Sequence, residues 1–477
     1  MSRKPTRASG AVRGSARLAR GLASAGALCV LVAFGLSVSW VERTFTADGW
    51  VPPLIAEGIE RTQWGLLFAG AACLILAGAM SRRGWALASA AALSLGAGAA
   101  FANAFYPRHL LFQPKRLAAV ALGQELLLRD FTPQPTLRVA SHEVLRARYP
   151  AINIHAHFSY PGLDTVKSAE ELVAVMDACN VAQAVDLDGG VEEALQQELD
   201  RYARKAPERL VVFAHIWFGE EFSGPAYFQK LVGSLDEAAR SGAAGIKIWK
   251  NLGLQSRDKT GQVVPVDDLR LEPLWRKAAA LKLPILIHVA DPEPFFHPAD
   301  ARNERYEELA NALTGVIFSF AHPRYPRPSR IYAQLERVLE RHRDVPFIGA
   351  HMLVLGNDLE TLGAMLDRHP NLYVDTAAMA HELGRQPRAA RAFFLKYEDR
   401  ILFGTDGNPD EVIYRQYFRF LETADEYFDY PGWPQYNPGR WKIYGLDLPD
   451  DVLRKVYRDN AARLLKRREP DPGRAQR

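Results

Sequence analysis

The stretch "YPAINIHAHF", residues 149–158, closes an apolar run with two histidines one residue apart, His155 and His157. Successive side chains of a β-strand point to opposite faces, so residues i and i+2 share one. Two imidazoles on one face can hold one ion, since neutral imidazole is the commonest metal ligand. They can equally be two polar residues where a strand meets solvent. The pair alone leaves both readings open, and the rest of the chain weighs between them.

From about residue 145 onward, short apolar runs alternate with helical stretches, the pattern of successive β/α units. The runs are "AINIHAH" (151–157), "AQAVDLDG" (182–189), "RLVVFAHIW" (209–217) and "AGIKIWK" (244–250), followed by "LPILIHVAD" (283–291), "VPFIGAH" (345–351), "NLYVDTA" (371–377) and "RILFGTDG" (400–407). Between them lie amphipathic segments such as "SAEELVAVMDACN" (168–180), where Ser168 and Glu171 have capping-box spacing. Runs apolar nearly throughout suit a parallel sheet buried on both faces. Eight units predict a (β/α)8 TIM barrel over residues 145–467, with 468–477 as a flexible tail.

The polar residues fall at the carboxyl ends of those runs. His155 and His157 end the first, Lys247 lies in the fourth, His288 ends the fifth, His351 the sixth and Asp406 the eighth. Barrels carry their chemistry on that face, and scattered core histidines would not choose strand ends with this regularity. Two imidazoles and a carboxylate, His155, His157 and Asp406, make a hard-to-borderline divalent site suited to Zn²⁺ first and Mn²⁺ second. His288 completes a four-ligand sphere in this reading. A water at an open position would then serve as nucleophile near neutral pH.

The ordered set of H-x-H, Lys, His, His and Asp resembles the amidohydrolase superfamily of metal-dependent barrels. The surrounding text, "GIKIWKNLGL", "LPILIHVADP", "FIGAHM", "ILFGTDGNPDEVI" and "LPDDVLRKVYRDNAARLL", resembles its amidohydrolase-related (amidohydrolase 2) branch over roughly residues 134–466. The resemblance implies that Asp406 both holds the metal and accepts the proton of the attacking water. It implies that His351 polarises or protonates the substrate, or binds a second metal. In some members a lysine on the fourth strand is carboxylated and bridges two ions. Lys247 is that lysine here, or else an unmodified proton donor or ion-pair partner. One ion is the favoured count, with two open. The chain departs from the pattern two residues before His155, where such proteins often carry Asp and this one has Asn153.

Strand parity places Lys247 and Trp249 on one face and Lys250 on the other. A long insertion between the fifth and sixth runs, residues 292–328, offers Phe295, Phe296, His297, Arg305, Tyr306 and His322 as a roof over the site. After the seventh run, "HELGRQPRAARAFF" offers Arg385 as a clamp for a substrate carboxylate. Trp249, Phe296, His322 and Arg385 are the candidate substrate contacts.

The 477 residues exceed one ordinary domain, and nearly half are apolar. A net charge of +4, spread along the chain, argues against a nucleic-acid partner. The three cysteines give neither a disulfide framework nor C-x-x-C spacing. Residues 1–106 are a different material. The runs 21–40, 64–80 and 84–105 read as membrane spans, the third being the least apolar. A signal peptide is the alternative for the first. The basic tail 1–20 places the N-terminus in the cytoplasm, with the catalytic domain on the outer side of the inner membrane. Residues 107–144 form a linker, in which 115–130 is either an interfacial helix on the bilayer or an ordinary one.

The leading expectation is therefore a membrane-anchored, metal-dependent hydrolase using metal-activated water on a C–N or C–O bond of a small molecule. The closest alternative is a metal-dependent decarboxylase of an aromatic or unsaturated acid. A non-catalytic metal-binding sensor is the remote one, because the ligand set is complete.

Overall fold

The computed structural model describes residues 134–159, 166–218, 225–310, 319–432 and 438–465, together with positions 20 and 24. Residues Leu137–Arg477 form one compact unit. Its strands are β1 (Ala151–Ala156), β2 (Val181–Asp186), β3 (Leu210–Val212), β4 (Ala214–Ile216), β5 (Ile246–Ile248), β6 (Ile285–Ile287), β7 (Phe347–Gly349), β8 (Leu372–Asp375) and β9 (Ile401–Leu402). Every strand pairing is parallel and joins sequence neighbours. The third run is split at Phe213 into β3 and β4, so nine strands make eight staves. Phe213 still donates to Asp186 O at 2.9 Å, and Ala214 to Gly245 O at 2.9 Å.

The sheet closes on itself. Ile154 N donates to Phe403 O at 2.9 Å, Asp406 N to His155 O at 3.0 Å and His157 N to Gly407 O at 3.2 Å. These bonds remove both sheet edges and fix the first run against the last. Gly404 sits at that seam, where an added Cβ would lie 2.9 Å from the Cβ of His155, so no larger residue fits.

Eight helices follow the staves: α1 (Ala169–Cys179), α2 (Glu192–Glu198), α3 (Pro225–Ser241), α4 (Glu272–Ala280), α5 (Pro328–Arg341), α6 (Leu359–Arg368), α7 (Pro387–Lys396) and α8 (Glu411–Glu422). The molecule is a (β/α)8 barrel. The capping box opens α1 as its spacing predicts, with Ser168 N donating to Glu171 at 2.7 Å and Glu171 N to Ser168 Oγ at 3.2 Å. Ile152, Ile154, Val185, Leu286, Ile348 and Leu402, drawn from five strands, pack in one apolar cluster with Ala461 and Leu464 of the C-terminal segment. A larger cluster joins the strands to the apolar stripes of the helices.

The expected inner-membrane location is overturned. Among the described residues no helix is long and apolar enough to cross a membrane. The longest, α3, has 17 residues and carries a charged face, whereas a span needs about 20 apolar ones. The runs 21–40, 64–80 and 84–105, the segment 115–130 and the tail 468–477 lie outside the described residues. Residues 134–150 are described and form no helix or strand.

Candidate active site

Two histidines are locked by buried carboxylates. His155 Nδ1 lies 2.8 Å from Asp375 Oδ2 and His157 Nδ1 lies 2.6 Å from Asp188 Oδ1. Both Nε2 atoms then converge on Asp406 Oδ1, at 3.1 Å from His155 and 3.2 Å from His157. The ligand atoms of His155, His157 and Asp406 all lie within 4.8 Å of one another. Metal-binding histidines characteristically give their other nitrogen to a carboxylate, which fixes ring and tautomer. Asp406 reaches the cluster from a residue with φ of 62°, a left-handed backbone outside the short strand β9.

Asp375 binds three donors, adding His351 N at 2.9 Å and Ala377 N at 3.1 Å to His155. Burial raises its pKa, but the neighbouring His155 and His351 outweigh burial and hold it below the ordinary carboxylate range. Asp406 behaves likewise: burial opposes its ionised form, and His351, His155 and His157 hold it well below the usual value. His157 is the mirror image. Burial disfavours its cation, yet Asp188 and Asp406 on either side push its pKa up to about 9. The two carboxylates thus favour positive charge at this position.

His351 Nδ1 lies 2.9 Å from the carbonyl oxygen of Ala377. A carbonyl only accepts, so Nδ1 carries the proton and Nε2 presents its lone pair. That Nε2 is 4.0 Å from Asp406 Oδ2. Burial pulls the His351 pKa down to about 4, which keeps the imidazole neutral. His288 packs its ring 4.5 Å from that of His351 and does not join the three-residue cluster. Its Nε2 is buried without a hydrogen-bond partner, an arrangement that costs roughly 1–3 kcal/mol unless something fills it.

Lys247 is buried, with Nζ 3.4 Å from His155 Nε2, and burial lowers its pKa to about 8. His155, His157, Lys247, His288, His351 and Asp406 line one cavity of about 350 Å³. Trp249 also lines it, stacked on Trp217 at 4.5 Å. Lys250 is there too, paired with Asp291 at 2.9 Å. The parity argument pointed Lys250 away, but β5 ends at Ile248 and alternation lapses beyond it.

Three expected substrate contacts are not at the cavity. Arg385 pairs with Glu304 and Glu382 and covers the ring of Trp441 at 4.4 Å. Phe296 is buried against Phe320 at 5.4 Å, and its neighbour Phe295 lines the cavity instead. His322 is exposed and accepts from Arg324 N at 3.0 Å. The arginine that does line the cavity is Arg305, buried and bonded through Nε to Glu308 at 2.6 Å. Asp188 and Asp375, which hold the two imidazoles, sit near the ends of the second and seventh runs.

Asn153 also has a defined place. Its Nδ2 donates to Thr405 Oγ1 at 2.9 Å and to Tyr414 OH at 3.1 Å, while its Oδ1 accepts from His155 N at 3.2 Å. It ties the first stave to the last and supports His155 through the backbone.

The family model described as Amidohydrolase matches residues 152–467. The chain belongs to that family. It is an amidohydrolase-type enzyme, and its His and Asp cluster fits the divalent metal on which the family depends. No curated protein matches the chain. Among solved structures it is similar to 2,6-dihydroxybenzoate decarboxylase from Rhizobium, at 16% identity and a TM-score of 0.40, covering 67% of this chain and 99% of that one. It is similar to a dihydroxybenzoic acid decarboxylase from Polaromonas sp. JS666 with bound manganese, at 15% identity and 0.42, covering 67% and 98%. A probable 2-pyrone-4,6-dicarboxylic acid hydrolase from Acinetobacter baumannii is similar at 12% identity and 0.37, covering 66% and 99%.

Proposed function

We propose that this amidohydrolase is a hydrolase acting on a C–N or C–O bond of a small molecule, with one divalent ion, Zn²⁺ before Mn²⁺, held by His155, His157 and Asp406 and completed by His288. One observation supports this most: two imidazoles, each locked through Nδ1 to a buried carboxylate, aim Nε2 at the same carboxylate oxygen. Charge agrees with it. Asp188, Asp375 and Asp406 bring three negative charges to two imidazoles, and one divalent ion with the Lys247 ammonium balances them. The unpartnered His288 Nε2 offers a fourth nitrogen in the same cavity.

When bound, the ion supplies Lewis acidity toward a carbonyl oxygen or a water. Asp406 Oδ2, turned away from the two histidines and toward His351, accepts the proton of the nucleophile. His351 Nε2, kept bare by the Ala377 carbonyl, lies 4.0 Å from Asp406 Oδ2, so it would take that proton through one bridging water and return it to the leaving group. Lys247 balances the negative charge that develops beside His155. Trp249 and Phe295 are apolar wall for the substrate body.

The test is turnover of lactones, esters, amides and aromatic acids by the metal-loaded full chain in ¹⁸O-water. Hydrolysis places ¹⁸O in the product and is lost in Asp406→Asn. Release of CO₂ with no ¹⁸O in the organic product would replace this reading by the decarboxylase.

A further inference from the structure

The segment that carries His351 is built from four successive residues in left-handed backbone, none of them glycine. Their φ angles are 55° at His351, 54° at Met352, 56° at Leu353 and 57° at Val354. In that conformation an L-residue brings its Cβ against the following carbonyl, and a β-branched residue such as Val354 suffers most. Single non-glycine residues adopt it only occasionally, and four in succession persist only when the surroundings over-determine them.

The surroundings do so from three sides. Asp375 Oδ1 and Ala377 O hold His351 through its backbone N–H and its Nδ1, each at 2.9 Å. Tyr332, reaching across from α5, donates its buried hydroxyl to Leu353 O at 2.9 Å. Leu353 folds back over Gly349, where an added Cβ would lie 2.4 Å from Leu353 Cδ2 and 2.5 Å from its Cγ. All four turn residues are buried. The first presents its imidazole to Asp406 and the last, Val354, lines the cavity.

We propose that the left-handed turn His351–Val354 is a positioning device for the His351 imidazole, clamped by the Tyr332 hydroxyl and by Leu353 seated on Gly349. Tyr332 is thus a positioning residue that neither lines the cavity nor joins the ligand cluster. Without the clamp the turn relaxes toward right-handed backbone, the Nδ1 bond to Ala377 O is released, and Nε2 no longer stays bare toward Asp406. The inference rests on the reading of His351 as the proton acceptor of this site.

The experiment uses the full chain, ¹⁵N-labelled at histidine and loaded with Zn²⁺, as wild type, Tyr332→Phe, Gly349→Ala, and Gly349→Ala with Leu353→Ala. His351→Gln identifies the His351 signals. Wild type shows one tautomer, protonated at Nδ1 and slow to exchange with solvent. In Tyr332→Phe and in Gly349→Ala the signal becomes a mixture of tautomers and its exchange accelerates by about tenfold or more. The double variant, which has no clash and keeps the Tyr332 bond but has lost the Leu353 side chain, falls between wild type and Gly349→Ala.

A merely structural tyrosine would lower the melting temperature and leave the tautomer alone. An unchanged tautomer, with exchange within about twofold in folded Tyr332→Phe, overturns the proposal. If Tyr332→Phe does not fold, an unchanged Gly349→Ala signal overturns it as well. A shifted tautomer in a chain that binds no Zn²⁺ sinks the functional reading and leaves the turn standing. Normal metal content and turnover with an unshifted tautomer do the reverse.

Discussion

His155 Nδ1 and Asp375 Oδ2 lie 2.8 Å apart, both fully buried, and this one bond decides which way the first imidazole can serve. A carboxylate there makes Nδ1 a donor and frees Nε2 for the cavity.

Asp375→Asn is therefore a sharper probe than removal. The amide oxygen can still accept from His351 N and Ala377 N, but the NH₂ now faces His155 Nδ1 and forces the proton onto Nε2. We expect metal affinity to fall by about 10–100-fold with the fold retained. Zn²⁺ titration against a competing chelator measures it. An unchanged dissociation constant would show that Asp375 does not set the tautomer.

His157 links metal binding to pH. Without metal its pKa is about 9, raised against burial by Asp188 and Asp406. A group raised in the folded state stabilises the metal-free fold fully below its unfolded value of about 6.5, and that stabilisation is lost as pH rises through about 9. Metal needs the neutral ring, so binding near pH 7–8 releases about one proton, and affinity climbs with pH until about 9. Calorimetric titration in two buffers of different ionisation heat counts the proton. A heat independent of buffer would remove His157 from the ligand set.

Arg305 of the expected roof and Arg385, the expected carboxylate clamp, separate by burial. Arg305 is 2% exposed, bonded to the half-buried Glu308 and 3.9 Å from the buried Glu382, so Arg305→Ala strands the Glu382 carboxylate and costs about 3–5 kcal/mol. Arg385 is about one-third exposed in its ion pairs, and Arg385→Ala costs no more than about 1 kcal/mol. Urea unfolding compares them, and equal losses would contradict the assignment.

Much of this was legible in the chain because a short, nearly continuous apolar run ending in a ligand-type residue is a local signal. That signal points to the barrel and to His155, His157, Lys247, His288, His351 and Asp406, all six of which line one cavity. Asp188 and Asp375 lie near strand ends as well, but an aspartate there is also an ordinary turn residue, so the sequence alone does not single them out. The choice of Arg305 over Arg385 depends on how a long loop folds back over the barrel, which no local period encodes. Parity failed at Lys250 because a three-residue strand ends before it. The left-handed turn at 351–354 was hidden for a different reason, since residues that favour right-handed backbone are held in it by contacts from α5, β7 and β8.

The most direct test is elemental analysis of the full chain purified without added metal, beside His155→Ala, His157→Ala and Lys247→Met. One tightly bound divalent ion per chain is expected, retained in Lys247→Met and lost in both histidine variants. Two ions, one of them lost with Lys247, would establish a lysine-bridged pair. A folded chain that binds no divalent ion even after soaking with Zn²⁺ or Mn²⁺ would contradict the account.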